Sequence, residues 1–184
     1  MTKFTNNLSS YEVATTKDKI FALNSKEEIF EIFNRNDRET TRGPDPHEWR
    51  AYASVAYFKD KLYYLGGEDP KTGEYTNRVD VLIDRKWQTG PTFPLPINRA
   101  LTITCDETLC VIDGLNGGKI YRLSVDEREW IEIGEIPERR IFFGVALPST
   151  ARLLSQPSSV SGCSVKLPRY KHFGTSMKNI SIGF

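Results

Sequence analysis

The chain has 184 residues, of which 39% are hydrophobic and 27% charged, with a formal net charge of +1. That balance fits a soluble protein, and no apolar stretch approaches the ~20 residues needed to span a bilayer. The first ten residues are mostly polar and hold a single Phe, which is not the pattern of a secretory signal, so a cytoplasmic location is expected.

Beyond residues 1–10, three degenerate repeats follow one another. The first runs through Ile20-Phe21-Ala22-Leu23-Asn24-Ser25 and Ile29-Phe30-Glu31-Ile32-Phe33 to a Pro44-Asp45-Pro46 loop that ends at Arg50. The second is the clearest: Leu62-Tyr63-Tyr64-Leu65-Gly66-Gly67, an alternating segment from Val79 to Asp84, Trp87, then Pro96-Ile97-Asn98-Arg99. The third reads Leu109-Cys110-Val111-Ile112-Asp113-Gly114, Ile120-Tyr121-Arg122-Leu123, Trp130, then Pro137-Glu138-Arg139-Arg140. Arg50 and Arg99 are 49 residues apart and Arg99 and Arg140 are 41 apart, a period that signals a solenoid or a propeller. Each unit holds short β-branched and aromatic stretches broken by Gly, Pro, Asn and Asp, the pattern of strands and turns. Asp60-Lys61 and Asp106-Glu107 sit between apolar runs where tight hairpin connections are expected.

These markers resemble those of kelch-repeat β-propellers, in which each repeat forms one four-stranded blade. In that family an Arg opens the first strand, Gly-Gly ends the second, the third is apolar, a Trp sits in the fourth, and Pro-x-x-Arg leads onward. The second repeat matches with Arg50, Gly66-Gly67, Val79 to Asp84, Trp87 and Arg99; the third matches with Arg99, Ile120, Trp130 and Arg140 but carries Asp113-Gly114 for the glycine pair. The first departs most, with Asn24-Ser25 at the glycines and Glu39 at the Trp position. The resemblance covers roughly residues 11–147, as three units at 11–49, 50–98 and 99–147. It implies an all-β fold of kelch-type propeller blades. In that fold Gly66, Gly67, Trp87, Gly114 and Trp130 are structural: glycines allow close backbone approach. A Trp on an outer strand buries about 150–250 Å² against its own blade and the next.

Propellers close with about 4–8 blades. Two clear units, one weak one and a further strand at 141–147 make an incomplete ring. The chain therefore reads as a fragment or truncated product, with self-association of two halves into a six-bladed ring as the alternative. Residues 148–184 are of another kind. They hold five basic side chains, no acidic one and ten Ser or Thr. Removing those five leaves 20 basic against 24 acidic residues, a net −4 for residues 1–147. An irregular, basic, Ser-rich tail is expected there.

Cys105, Cys110 and Cys163 form no C-x-x-C pair, which argues against a disulfide scaffold or zinc site and suits buried thiols in a reducing compartment. His47 lies in the Pro-rich connection and His172 in the tail, so no catalytic triad or metal cluster is suggested and no cofactor is expected. Gly114-Leu115-Asn116-Gly117-Gly118 lacks the Lys-Ser/Thr of a phosphate loop and reads as a turn between strands. A body at net −4 lacks the dense positive face of a nucleic-acid binder.

What remains is a binding module. Loops at one end of a rigid scaffold concentrate recognition. The resemblance implies that Arg50, Arg99 and Arg140 line one rim and meet an acidic peptide segment through charge-assisted bonds; tying each loop to its blade is the alternative role. The Glu68-to-Asn77 loop is a second contact candidate. The leading function is a non-enzymatic protein-interaction module like the substrate-recruiting propeller of kelch adaptors for cullin ubiquitin ligases. An actin-associated kelch protein and a kelch-propeller enzyme are the other classes.

Overall fold

In the computed structural model, residues 11–105, 107–114 and 116–136 are described, together with two strands at 163–167 and 178–182. The described residues are all β, without a helix, and make three four-stranded antiparallel sheets plus one isolated hairpin. The first sheet contains β1 (Tyr11–Thr15), β2 (Lys19–Asn24), β3 (Ile29–Asn34) and β4 (Thr40–Arg42) in chain order. The second contains β5 (Ser54–Phe58), β6 (Lys61–Leu65), β7 (Val79–Ile83) and β8 (Lys86–Thr89). The third contains β9 (Leu101–Cys105), β10 (Thr108–Ile112), β11 (Lys119–Leu123) and β12 (Trp130–Glu135). One sheet falls within each of the intervals 11–49, 50–98 and 99–147. The further strand expected at 141–147 lies outside the described residues, as does most of the tail. Within that tail β13 (Cys163–Leu167) and β14 (Lys178–Ile182) pair antiparallel.

Turn chemistry sets the hairpins. Lys59 and Asp60 join β5 to β6, both at positive φ (46° and 60°), and Asp84 and Arg85 do the same between β7 and β8 (48° and 63°). Two successive left-handed residues give a turn whose twist matches that of the flanking strands. The connection expected at Asp60-Lys61 is thus one residue earlier, because Lys61 already pairs with Phe58. Register also separates two cysteines: Cys105 faces Thr108, whereas Cys110 faces Ile103.

The second sheet is the middle layer, and strand alternation gives it two apolar faces. Val55, Leu62, Tyr64, Leu82 and Trp87 pack on Ala14, Phe21, Leu23 and Phe30 of the first sheet. Ala56, Phe58, Tyr63, Leu65, Val79 and Val81 pack on Leu109, Val111, Tyr121, Leu123 and Trp130 of the third. First strands lie side by side, β1 with β5 and β5 with β9. Ser54 Oγ donates to Ala100 O (2.7 Å) and Thr102 Oγ1 to Val55 O (3.1 Å), tying β5 to the β9 side.

Each tryptophan reaches backward along the chain. Trp87 Nε1 donates to Pro44 O and Trp130 Nε1 to Pro91 O, both at 2.8 Å. Trp130 stacks on Phe93 with ring centres 4.2 Å apart, and Trp87 sits 6.1 Å from Phe30. The accepting prolines follow Gly43 and Gly90, whose amides donate to Phe30 O and Val79 O. Both indoles therefore fasten the preceding sheet. Gly66 (φ +56°) and Gly67 (φ +99°) end β6 at a crowded point: a Cβ on Gly67 would stand 2.8 Å from Ala51 O and 2.9 Å from the Ala53 Cβ. Only glycine fits that turn without strain.

Candidate functional site

Long connections gather at one end of the stack. Residues 43–53 lead into β5, 66–78 link β6 to β7, and 90–100 lead into β9, whereas two-residue turns join β5 to β6 and β7 to β8 at the other end. Backbone hydrogen bonds weld the three long segments: Ala51 N to Glu68 O (2.8 Å), Gly67 N to Ile97 O (2.9 Å) and Arg99 N to Tyr52 O (3.0 Å). Asp69 Oδ1 accepts the Lys71 amide at 2.7 Å and folds the tip of the 66–78 segment back on itself. The result is an ordered loop end on a rigid base, a placement that favours recognition.

Between these segments lies a cleft of about 480 Å³, with Trp49 and Tyr75 among its lining and Arg50 in its wall. Its acidic residues are Glu28, Glu48, Asp69 and Glu74, set against His47 and Lys71. Tyr75 is 50% exposed. His47 has its Nε2 3.1 Å from Trp87 O, which holds the imidazole against the outer strand.

Arg50 is 2% exposed. Its Nη1 donates to Asp80 Oδ2 at 2.6 Å and its Nη2 to Tyr64 O at 2.9 Å, and the guanidinium lies 4.4 Å from the centre of the Tyr64 ring. The Tyr64 hydroxyl donates to Arg50 O and accepts from Arg50 N. Burial pushes that hydroxyl up to about 12, against the pull of Arg50. Asp80, fully buried, also pairs with Arg78, which reaches out to Glu48 at 2.9 Å. A charge so deeply sunk requires a partner, and Arg50 and Asp80 supply each other.

Arg99 stands in a different setting. It is exposed, its backbone is left-handed (φ 50°), and its guanidinium stacks 4.0 Å from the Tyr52 ring centre. Tyr52 also has positive φ (54°) and is 44% exposed. Two strained non-glycine residues in contact at a surface mark a place that the surrounding structure over-determines. A second cleft of about 410 Å³ runs along the first strands, lined by Glu12, Ser54, Tyr57, Leu101 and Thr102. Burial raises the Glu12 carboxyl to about 7, with the Arg99 charge opposing.

The three arginines with repeat spacing thus do not form one set in the described residues. Arg50 is spent inside, Arg99 is presented, and Arg140 lies outside the described residues. Gly66, Gly67, Trp87 and Trp130 sit at strand ends and sheet contacts, and Gly114 lies in the turn after β10. Sequence reasoning passed over Asp80, Arg78, Tyr52 and Glu12. Asp80 carried a faint signal, as a lone acid in an otherwise apolar strand. The chain matches no family model and no curated protein. Among the described residues no cluster of His, Cys, Asp or Glu is placed to hold a metal ion, and no helix is long and apolar enough to cross a membrane.

Proposed function

We propose that this chain is a set of kelch-type propeller blades acting as a non-enzymatic protein-interaction module, comparable to the substrate-recruiting propeller of cullin-ligase adaptors. Three consecutive four-stranded antiparallel sheets with adjacent first strands support the blade reading. Three blades fall short of a closed ring. The observation that carries the functional reading is the ordered loop end, where exposed Tyr52, Tyr75 and Arg99 stand on hydrogen-bonded connections. Exposed tyrosine and arginine are the residue types that anchor protein partners. The partner is a protein segment that presents a carboxylate to Arg99, while the acidic cleft beside Tyr75 takes a cationic or amide group from the same segment.

Selection of displayed peptides on the immobilised full-length chain tests this, with affinity then read by fluorescence anisotropy. Peptides carrying an acidic residue are expected, each weakened about fivefold or more by Tyr75→Ala and by Arg99→Glu. Peptides indifferent to both substitutions, or no saturable binder at all, would rule out the loop end as the contact surface.

A further inference from the structure

Each four-stranded sheet ends on its fourth strand, and the three outer edges differ. β4 has three residues and β8 four, whereas β12 runs for six, Trp130–Glu135. β12 pairs with β11 alone, and no strand lies beyond it among the described residues. The two shorter edges carry cations, Arg42 in β4 and Lys86 in β8. Short length and positive charge are common guards on an edge strand. β12 has neither. Every residue in it after Trp130 is exposed, including Ile131 and Ile133 at 37% each.

The backbone along this edge points outward in a definite order. Glu129 O accepts the Ser124 amide at 2.9 Å, and the Ile136 amide donates to Gly118 O at 2.8 Å, so both ends face β11. Alternation turns the N–H and C=O groups of Trp130, Glu132 and Glu135 the other way. A bulge at Ile133 interrupts the run, since Tyr121 lies opposite Glu132 and Ile120 opposite Gly134. Charge is one-sided here. Residues 124–136 hold five acids, Asp126, Glu127, Glu129, Glu132 and Glu135, against one cation, Arg128. Glu132 and Glu135 lie across from Tyr121 and Lys119 on one face of the sheet, and Ile131 lies across from Arg122 on the other. Lys119 meets Glu132 at 2.8 Å, and Glu135 enters no ion pair among the described residues.

We propose that β12 takes up an extended segment of a partner protein as a fifth strand, one in which Lys or Arg alternates with apolar residues. Main-chain bonds to Trp130, Glu132 and Glu135 attach it, and side chains at alternate positions set the choice of sequence. Its cations fall beside Glu132 and Glu135, and its apolar residues beside Ile131, because successive side chains of a strand go to opposite faces. A second copy of this chain is the poorer occupant. Antiparallel pairing of two β12 edges would set Glu132 and Glu135 among their own kind, and like charges across strands destabilise a sheet. The bulge also twists the edge away from flat pairing between folded sheets, whereas a single extended peptide follows that twist. This edge is separate from the cleft beside Tyr75, and the inference does not depend on the loop-end reading or on the family reading.

The probe is a short peptide alternating Lys and Val, added to the full-length chain at an ionic strength of about 0.15 M. A Glu-Val peptide of the same length is its control. Binding is read by fluorescence anisotropy, and amide exchange by NMR, residue by residue. The Trp130, Glu132 and Glu135 amides are expected to exchange freely in the chain alone and to slow about tenfold or more on binding. Two further peptides carry N-methyl groups on one alternate set of residues or on the other. Only the set facing β12 donates to the ladder, so one of these peptides is expected to lose binding and the other to keep it. Charge attraction alone makes no such distinction. Glu132→Lys/Glu135→Lys is expected to weaken binding about fivefold or more with circular dichroism and melting unchanged. Equal behaviour of the two methylated peptides, or no saturable binding of the Lys-Val peptide, would overturn the proposal. Slow exchange at those amides in the chain alone would assign the edge to another part of the same chain and overturn it. The same slow exchange lost on dilution, together with a dimer mass, would assign it to a second copy and overturn it equally.

Discussion

Arg50 offers the sharpest test of the interior. Replacing it with Met keeps much of the side-chain length while removing the guanidinium that meets Asp80 at 2.6 Å and Tyr64 O at 2.9 Å. Asp80 is 0% exposed and would keep only Arg78, which is itself partly open to solvent. Removing one partner of a buried pair costs about 3–5 kcal/mol. The lost cation–π contact with Tyr64 adds about 1 kcal/mol, and the retained Arg78 bridge offsets a similar amount. A net loss of about 3–5 kcal/mol is a large part of the 5–15 kcal/mol that holds a typical domain. Urea unfolding followed by tryptophan fluorescence measures it, with Trp87 and Trp130 reporting from the two cores. The double variant Arg50→Met/Asp80→Leu is expected to recover most of the loss, because no uncompensated charge is left inside. A loss under about 1 kcal/mol for Arg50→Met would refute the buried-pair argument.

Two further outcomes follow from the geometry. Gly67→Ala places a methyl group against Ala51 O and Ala53 in a left-handed backbone, and is expected to lower stability by about 2–4 kcal/mol in the same urea assay; a neutral result would mean the 51–53 segment yields freely. Glu12 has its folded value raised from 4.5 to about 7, so its neutral form is favoured in the fold. Its contribution is therefore full below about 4.5 and lost as pH rises through about 7. At about 1.4 kcal/mol per pH unit the ceiling is roughly 3 kcal/mol, which partial solvent access reduces to about 1–2 kcal/mol. Glu12→Gln should flatten the stability profile between those pH values, and an unaltered profile would contradict the burial of that carboxyl.

Strand positions were legible because the pattern is local. Leu62 to Leu65 and Val79 to Ile83 announce themselves by composition, and Gly66-Gly67 by the absence of any side chain where β6 meets the loops. Trp87 and Trp130 were readable as packing residues, but their direction was not: the indoles bond to Pro44 and Pro91, about forty residues back, and nothing near either Trp records that. The Gly43-Pro44 and Gly90-Pro91 pairs were a signal in plain view, 47 residues apart, that repeat matching by Arg and Trp overlooked. The register of the β5–β6 turn turned on one residue, because Lys59 adopts a left-handed conformation that its type does not advertise. Equal spacing made Arg50 and Arg99 look equivalent. Their environments differ because Arg50 has Asp80 and Tyr64 within reach, and Arg99 has Tyr52 and open solvent.

The backward reach of the indoles orders the chain in time. Trp87 closes on Pro44 across 43 residues, and Trp130 on Pro91 across 39. During synthesis, then, the first sheet waits for the fourth strand of the second before its exit loop is secured, and the second waits on the third. Stability in such a stack accumulates through neighbours, one contact surface after another. Loss of a C-terminal stretch reaching back past Trp130 would remove one sheet and also unfasten the one before it. Proteolytic nicking should accordingly progress inward from the C-terminal side, with the 90–100 connection opening ahead of the 43–53 connection.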